Sequence, residues 1–563
     1  MWNIWIDTGG TFTDCIALSP TGQRKSLKIL SSSVLRGAIK KVKANQVLTH
    51  FSWPADSDIF KDFSFTCLAT GIGAKVLSAD LHTGWITLDR SFRQDEIHGE
   101  FEITSSEEVP VLAARLLTST PLTEELPPIS MRLGSTKGTN ALLEKKGAKV
   151  AFITTKGFED LLVIRDQQRP HLFDLNIKTP PPIYAHVVGV EERIDSDGGV
   201  LQPIDIDKLK SELLNLPPET AIAICLLNSY KNNAHEKKVS HILTQMGFIS
   251  ISCSTDLSRQ IKLLQRADTT VVNAYLEPII SEYIQGITTK IKRGKLWIMT
   301  SSGSIVNSEK FHPKDSLLSG PAGGIVGAVA VARKSGFDKI ITFDMGGTST
   351  DVAIYNGKYD YRFETKVGQA NIQSPGLYIE TIAAGGGSIC GFKNGLLTVG
   401  PESAGASPGP ACYGAGGPLT ITDINLLAGR LVPKEFGIPV SITAAEKAIN
   451  NLIEAIKALN GITYTEAELI NAYTTIANEK MAEAIRKISL VKGHDPKEYC
   501  LISFGGAGGQ HALGIAEALG IQTVAIPYEA GLLSAYGIGV ADIEAFEEKL
   551  ILNRWPVSAI QND

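Results

Sequence analysis

The chain has 563 residues, 43% of them hydrophobic, and a formal net charge of -5. Its length supports roughly two to four domains with substantial cores, and its charge lacks the basic footprint that captures a nucleic-acid backbone or an anionic membrane surface. The longest apolar run, Ala322 to Ala332, is too short to span a bilayer, and an N-terminus that enters a strand at once lacks a signal peptide, so a cytoplasmic protein is expected.

The first element is a strand ending in Asp7, within Ile4-Trp-Ile-Asp-Thr-Gly-Gly-Thr-Phe-Thr-Asp14. Its Gly-Gly pair bares backbone N–H groups and runs through hydroxyls to a second Asp, a pattern suited to phosphate and a metal ion. Ser19-Pro-Thr-Gly22 then predicts a turn into a second strand, Gln23 to Leu30. Residues 45–125 read as a β-rich insertion, with strand-like runs at Gly84 to Leu88 and Gly99 to Ile103. Met131 to Thr136, a short helix to Gly147 and Val150 to Thr155 read as a parallel βαβ unit, and Ala221 to Leu227, His235 to Met246 and Ile249 to Ser254 as a second. A long helix from Asp268 to Ile291, kinked at Pro278, and a strand from Leu296 to Thr300 follow.

Ile341-Thr-Phe-Asp-Met-Gly-Gly-Thr-Ser-Thr-Asp351 repeats the opening motif and is followed by Tyr355-Asn-Gly-Lys358 and a strand to Val367. Two matched copies argue against an ordinary tight turn and for two hairpins addressing one nucleotide. Ala383 to Ile389 and Gly400 to Ala411 are too rich in glycine for a helix; they are either a flexible lid or a loop folded tightly against a ligand, and their prolines favour the second. A helical region runs from Thr443 to Leu490, with Met481, Ala484, Ile485 and Ile488 on one core face. A buried strand, Tyr499 to Phe504, enters Gly505-Gly-Ala-Gly-Gly-Gln-His511 and a helix to Leu519, a third nucleotide-contact candidate. The seven cysteines are odd in number, scattered and never in a Cys-x-x-Cys pair, so reduced thiols are expected.

The doubled Asp-x-Gly-Gly-Thr-x-Thr-Asp motif with a late Gly-Gly-Ala-Gly resembles the phosphate and adenosine segments of the actin-like ATPase superfamily. Within it, Asp7 to Asp14, Gly138-Thr-Asn-Ala-Leu-Leu-Glu144, Leu318-Ser-Gly-Pro-Ala-Gly-Gly324, Gly385 to Ser388, Gly400 to Gly405, Gly409 to Tyr413 and Gly417 to Asp423 resemble the hydantoinase A and 5-oxoprolinase family of ATP-dependent lactam hydrolases. The resemblance implies an α/β protein with two actin-like (ribonuclease H-like) ATPase domains facing a nucleotide cleft. It implies blocks at 1–195, 196–335 and 336–540, with a C-terminal tail at 541–563. It also implies an oligomer using ATP and Mg²⁺, a cyclic amide substrate, and a hydantoinase B-like subunit or fused domain. Members often continue beyond a segment like Ile526 to Ala535, so a fragment of a longer polypeptide is one expectation. A carboxylase subunit resembling the acetone carboxylase β-subunit and a non-enzymatic actin-like nucleotide switch are the alternatives.

The triphosphate is expected on Thr8, Gly9, Gly10, Thr11 and Thr13 and on Gly346, Gly347, Thr348 and Thr350, with Gly505, Gly506, Ala507 and Gly508 beneath the adenosine. Asp7 and Asp344 are the catalytic and Mg²⁺ candidates, through water, because Mg²⁺ keeps most of its waters. Asp14 and Asp351 either serve the metal or brace the turns. Asp423 is a base, a substrate anchor or a cap for the following helix. His511 contacts substrate or partner, or is bonded locally. Arg165 and Arg169 form a clasp for a substrate carboxylate or belong to a solvated loop. Glu380 either approaches the phosphates or ends a strand.

Overall fold

A computed structural model describes residues 1–50, 59–167, 173, 175–176, 181–368, 370–436, 438–544 and 546. The fold is mixed α/β, and the chain divides into two compact units. The first comprises Met1–Gly320, Arg362–Gly376 and the described residues from Asp542; the second comprises Pro321–Tyr361 and Leu377–Ala541. These units differ from the consecutive blocks expected from the sequence. Most of the 196–335 region belongs to the first unit, and Arg362–Gly376 returns to it. The return is held by side chains of the long helix: Gln373 N–H donates to Thr269 Oγ1 at 2.9 Å and Asn371 N–H to Asp268 Oδ2 at 3.4 Å.

The first unit is built on a six-stranded sheet in which Trp2–Thr8, Ile129–Ser135 and Lys295–Met299 run parallel, flanked by Phe12–Leu18, Arg24–Leu30 and Ile305–Asn307. Alternating burial along Trp2–Thr8 puts Ile4 and Ile6 into the core. A second sheet is wholly parallel, ordered His186–Val190, Val150–Thr155, Ala221–Cys225, Ile251–Cys253. Two of its strands, Val150–Thr155 and Ala221–Cys225, are buried at every position, as expected of strands covered on both faces. The first expected βαβ unit is therefore corrected: Ile129–Ser135 and Val150–Thr155 belong to different sheets. The second holds, with Ala221–Cys225 and Ile251–Cys253 paired in parallel across the helix Ala234–Gln245. The β-rich insertion is a closed five-stranded barrel that starts earlier than expected, at Leu35, and ends at Thr104. Closure leaves no free sheet edge. The helix from Leu263 to Thr288 continues through Pro278.

The second unit holds a five-stranded sheet ordered Glu380–Ile382, Thr350–Asn356, Lys339–Met345, Cys500–Phe504, Thr523–Ala525. The helix Glu466–Leu490 packs on it, burying Tyr473, Ala477, Met481 and Ile485, and Ile442–Asn460 packs on that helix and on Ile421–Leu427. One expected symmetry fails. After the first turn the next strand, Arg24–Leu30, pairs with the hairpin, whereas Tyr361–Val367 leaves the second hairpin to pair with Ala370–Leu377. Glu380–Ile382 takes the vacated edge of Thr350–Asn356. The Gly-dense region also contains a strand pair, Ser388–Lys393 with Leu396–Ser403. All seven cysteines are free and buried, and among the described residues no helix is long and apolar enough to cross a membrane.

Candidate active site

The two motif copies fold alike to the level of register. In the first, Asp7 pairs with Asp14 and Thr8 with Thr13; in the second, Asp344 pairs with Asp351 and Met345 with Thr350. Each turn is closed by one bond of the same kind, Gly9 N–H to the Phe12 carbonyl and Gly346 N–H to the Ser349 carbonyl, both at 3.0 Å. Those two N–H groups are thus engaged within the turns, a correction to their assignment as phosphate donors. The exposed positions left to present backbone donors are Gly10 and Thr11 in one turn and Gly347 and Thr348 in the other. Thr13 and Thr350 are also corrected. Both are fully buried, with Thr13 Oγ1 2.9 Å from Ser31 Oγ and Thr350 Oγ1 donating to the Ala384 carbonyl at 2.6 Å. They tie each hairpin to the loop that follows its neighbouring strand, at Ser31 and at Ala384.

Around the first turn, the Thr8 carbonyl accepts from Thr136 N–H at 2.9 Å and Thr136 Oγ1 at 3.2 Å. This brings the start of the helix Lys137–Leu143 alongside, and a Cβ on Gly10 would lie 3.7 Å from Asn140 Nδ2. Ser319 Oγ donates to the Ser135 carbonyl at 3.3 Å, which seats the start of the helix Ser319–Lys334 there; a Cβ on Gly320 would lie 3.6 Å from Asp7 Oδ1. The Asp7 and Thr8 side chains sit inside this ring with buried oxygens, Oδ1 and Oγ1, that have no hydrogen-bond partner. Burial, then the facing Asp14, push the Asp7 carboxyl up to about 7, against the pull of Lys28. Asp14 is itself raised by burial and is held by Lys28 at 2.6 Å. An orphaned carboxylate oxygen beside exposed backbone donors suits a hydrated cation neutralising phosphate.

Around the second turn, glycines 385 to 387 lie directly on glycines 346 and 347. Gly386 N–H donates to the Gly346 carbonyl at 3.1 Å and Gly387 N–H to the Gly347 carbonyl at 2.6 Å. A Cβ on Gly385 would stand 2.8 Å from the Gly347 carbonyl and Ser349 N. The glycines here serve backbone-to-backbone packing, so this loop is folded against the turn itself. Gly505 has φ of +80°, and a Cβ there would fall 2.6 Å from the Met345 carbonyl oxygen and closer still to Asp344 Oδ1. Ala507 N–H donates to the Met345 carbonyl at 3.0 Å. The half-buried Asp344 is therefore framed by the third glycine segment. Asp351, raised by burial, accepts from Thr381 Oγ1 at 2.5 Å, a bracing arrangement.

Other candidates have protein partners. The buried Asp423 carboxylate accepts from the N–H groups of Ala411, Cys412 and Thr420 and from Thr420 Oγ1, at 2.7 to 3.2 Å. It is the third residue of the helix Ile421–Leu427 and completes a capping box with Thr420. Of the three roles expected for Asp423, the structure shows the helix cap, with four donors on its oxygens. Asp423→Ala is expected to lower the stability of the second unit by about 3 kcal/mol in denaturant titration, because several buried N–H groups lose their acceptor. Both guanidinium arms of Arg165 pair with Asp268, at 3.0 and 2.5 Å, so its fork is occupied by the protein; Arg169 lies outside the described residues. Glu380 pairs with Lys487 at 2.6 Å.

His511 is buried between two helices, Nδ1 2.8 Å from Asn478 Oδ1 and Nε2 2.9 Å from Asn425 Nδ2. Nδ1–H donates and Nε2 accepts, so only the neutral ring fits. Burial, then Arg430, lower its pKa from 6.5 to about 4. The neutral form's contribution is complete above the unfolded value and lost as pH falls through the folded one. Wild type should therefore lose about 3 kcal/mol relative to His511→Gln between those two pH values, read by denaturant titration at each. An equal pH dependence in both proteins contradicts the assignment.

Sequence reasoning missed Asn140, Ser319 and Gly320 as neighbours of the first turn. The available signal was Ser-Gly-Pro at a helix start, where Pro in the first turn and absent side chains let other backbone approach.

Residues 266–547 match the family described as Hydantoinase/oxoprolinase, and residues 103–247 match its N-terminal region. The chain belongs to the hydantoinase/oxoprolinase family. The 5-oxoprolinase of Saccharomyces cerevisiae is 40% identical over 458 residues, covering 74% of this chain and 36% of that protein. The chain thus spans about a third of the length of the 5-oxoprolinase it matches. Caprolactamase of Pseudomonas jessenii is similar in sequence and in structure. Its subunit alpha is 33% identical over 435 residues, 73% of this chain and 61% of that one. The crystal structure of the ATP-dependent caprolactamase superposes with a TM-score of 0.71 at 28% identity, over 96% of this chain and 71% of that one. Nucleotide-free acetone carboxylase shares the fold, with a TM-score of 0.67 at 22% identity over 96% of this chain and 70% of that one.

Proposed function

We propose that this chain is the ATP-using component of a cyclic amidohydrolase acting on a lactam of the 5-oxoproline or hydantoin class. The observation that carries the proposal is the duplicated Asp-turn-Asp device, identical in register and closing bond. The names of the relatives, 5-oxoprolinase and ATP-dependent caprolactamase, support the same chemistry. In this reading each unit is an actin-like ATPase domain, and the two turns address one triphosphate through Gly10, Thr11, Gly347 and Thr348. Gly505 to Gly508 pass beneath the adenosine. Asp7 and Asp344 hold Mg²⁺ through water, and the orphaned Asp7 Oδ1 fits that role. The metal supplies charge neutralisation as phosphate charge spreads.

An amide resists water because resonance protects its carbonyl. Attack of the amide oxygen on the γ-phosphorus forms an O–P bond and releases ADP, leaving a carbon that water can attack. Cleavage of the ring C–N bond and release of phosphate complete the reaction. This chain's part is alignment and electrostatic stabilisation. Ring opening falls to a hydantoinase B-like component, and the word "subunit" in the caprolactamase name supports a partner. Lactam-stimulated ADP release in the presence of that component is the expected result. Its absence across 5-oxoproline, hydantoin and caprolactam would rule this substrate class out, and bicarbonate-dependent turnover without lactam would mark a carboxylase.

A further inference from the structure

The first unit holds a cavity of about 860 Å³ that the nucleotide reading does not use. This is within the range of small-molecule sites, roughly 300 to 1,000 Å³. Its lining comes from Thr255 to Arg259, from positions between Trp297 and Lys310, from His312 to Asp315 and from Gln373 to Pro375, with Ile543, Glu544 and Phe546 at its rim. Three Lys or Arg side chains, among them Lys314, line it together with four carboxylates, among them Asp315. A polyphosphate would meet those carboxylates unfavourably, whereas a neutral molecule or one with a single charge is accommodated.

The buried polar groups narrow the choice. Thr300, Ser302 and Ser304 form a hydroxyl cluster at the end of Lys295–Met299, with Ser302 Oγ 2.8 Å from both Thr300 Oγ1 and Ser304 Oγ. Hydroxyls both donate and accept, so such a cluster can serve the N–H and C=O of one amide together. Lys314 is 6% exposed, and its ammonium has three donors, one of them directed at Asp315 Oδ1 at 2.6 Å. The others suit a carboxylate.

The position is equally specific. Lys295–Met299, Ile129–Ser135 and Trp2–Thr8 are successive parallel strands, so the hydroxyl cluster and the first turn lie off the same carboxyl edge, two strand spacings or about 10 Å apart. Ligands of open α/β sheets bind at that edge. A backbone wall joins the two places. Leu318 N–H donates to Ser301 Oγ at 3.0 Å, Ser319 Oγ bonds the Ser135 carbonyl, and Gly320 adjoins Asp7.

We propose that this cavity is the cyclic amide site, with the ring amide on the hydroxyl cluster of Thr300, Ser302 and Ser304 and a ring carboxylate, where present, on Lys314. The proposal rests on the reading of the chain as an ATP-dependent cyclic amidohydrolase. The test is calorimetric binding of 5-oxoproline, hydantoin and caprolactam to the full chain with Mg²⁺ and a non-hydrolysable ATP analogue. The double variant Ser302→Ala/Ser304→Ala should bind all three about tenfold more weakly while binding the analogue as wild type does. Lys314→Met should weaken only 5-oxoproline, the one that carries a carboxylate, by about tenfold or more. Unchanged lactam binding in the hydroxyl variant overturns the site and leaves the proposed function standing. Wild-type protein that binds none of the three overturns both.

Discussion

Gly505→Ala is expected to lower the stability of the second unit by about 3 kcal/mol and to weaken nucleotide binding at least about tenfold. Two terms add. A left-handed backbone, here φ of +80°, costs a non-glycine residue about 1 to 2 kcal/mol. Forcing a methyl group to 2.6 Å from the Met345 carbonyl oxygen and into Asp344 Oδ1 adds overpacking of about 1 to 3 kcal/mol. The strain is relieved only by moving the loop off the second turn, which displaces Asp344 and breaks the Ala507 to Met345 bond. Denaturant titration and analogue binding on the same protein read both effects. A variant as stable as wild type would mean that this loop is not packed as described.

Asp7→Asn is expected to do the opposite to stability while removing turnover. Asp7 has a buried oxygen without a partner and a carboxyl pushed up to about 7 by burial, so as a carboxylate it opposes folding of the metal-free protein. The sign follows from linkage. The folded state holds the proton more tightly than the unfolded state, so stability declines as pH rises from the ordinary carboxylate range to about 7. Asparagine removes that dependence. The metal-free variant should be more stable than wild type at pH 8, by about 1 to 3 kcal/mol, and gain less at pH 5. ADP release should fall about 100-fold or more, since a group that keeps phosphate charge compensated is lost. A variant that is destabilised at pH 8, or that retains turnover, would show Asp7 to be a structural carboxylate.

Much of this molecule was legible because its informative features are local. The two turns, the strand-then-glycine segment at Gly505 and the long helices follow from residue spacing and glycine placement. What failed depends on long-range pairing. Nothing near Met131 or Val150 says that these strands join different sheets, and nothing near Tyr361 says that its strand leaves the hairpin that precedes it. The barrel strand Leu35–His50 carries lysines and few buried positions, so alternation gave no signal at its start. Candidate side chains misled for a related reason. Asp423, Thr13 and Thr350 have the chemistry of ligands, yet their partners are backbone groups and hydroxyls brought up from elsewhere in the fold. Buried polar groups are satisfied first, which among the roles expected of Asp423 favours the helix cap. Asp7 and Thr8, which break that rule, are where function is most expected.

The most direct measurement is a crystal structure of the full chain with Mg²⁺ and a non-hydrolysable ATP analogue. The account predicts one nucleotide whose phosphate oxygens accept from backbone N–H groups of both Gly10-Thr11 and Gly347-Thr348, with hydrated Mg²⁺ near Asp7 and Asp344. A nucleotide touching one turn alone, or bound away from both, would contradict it.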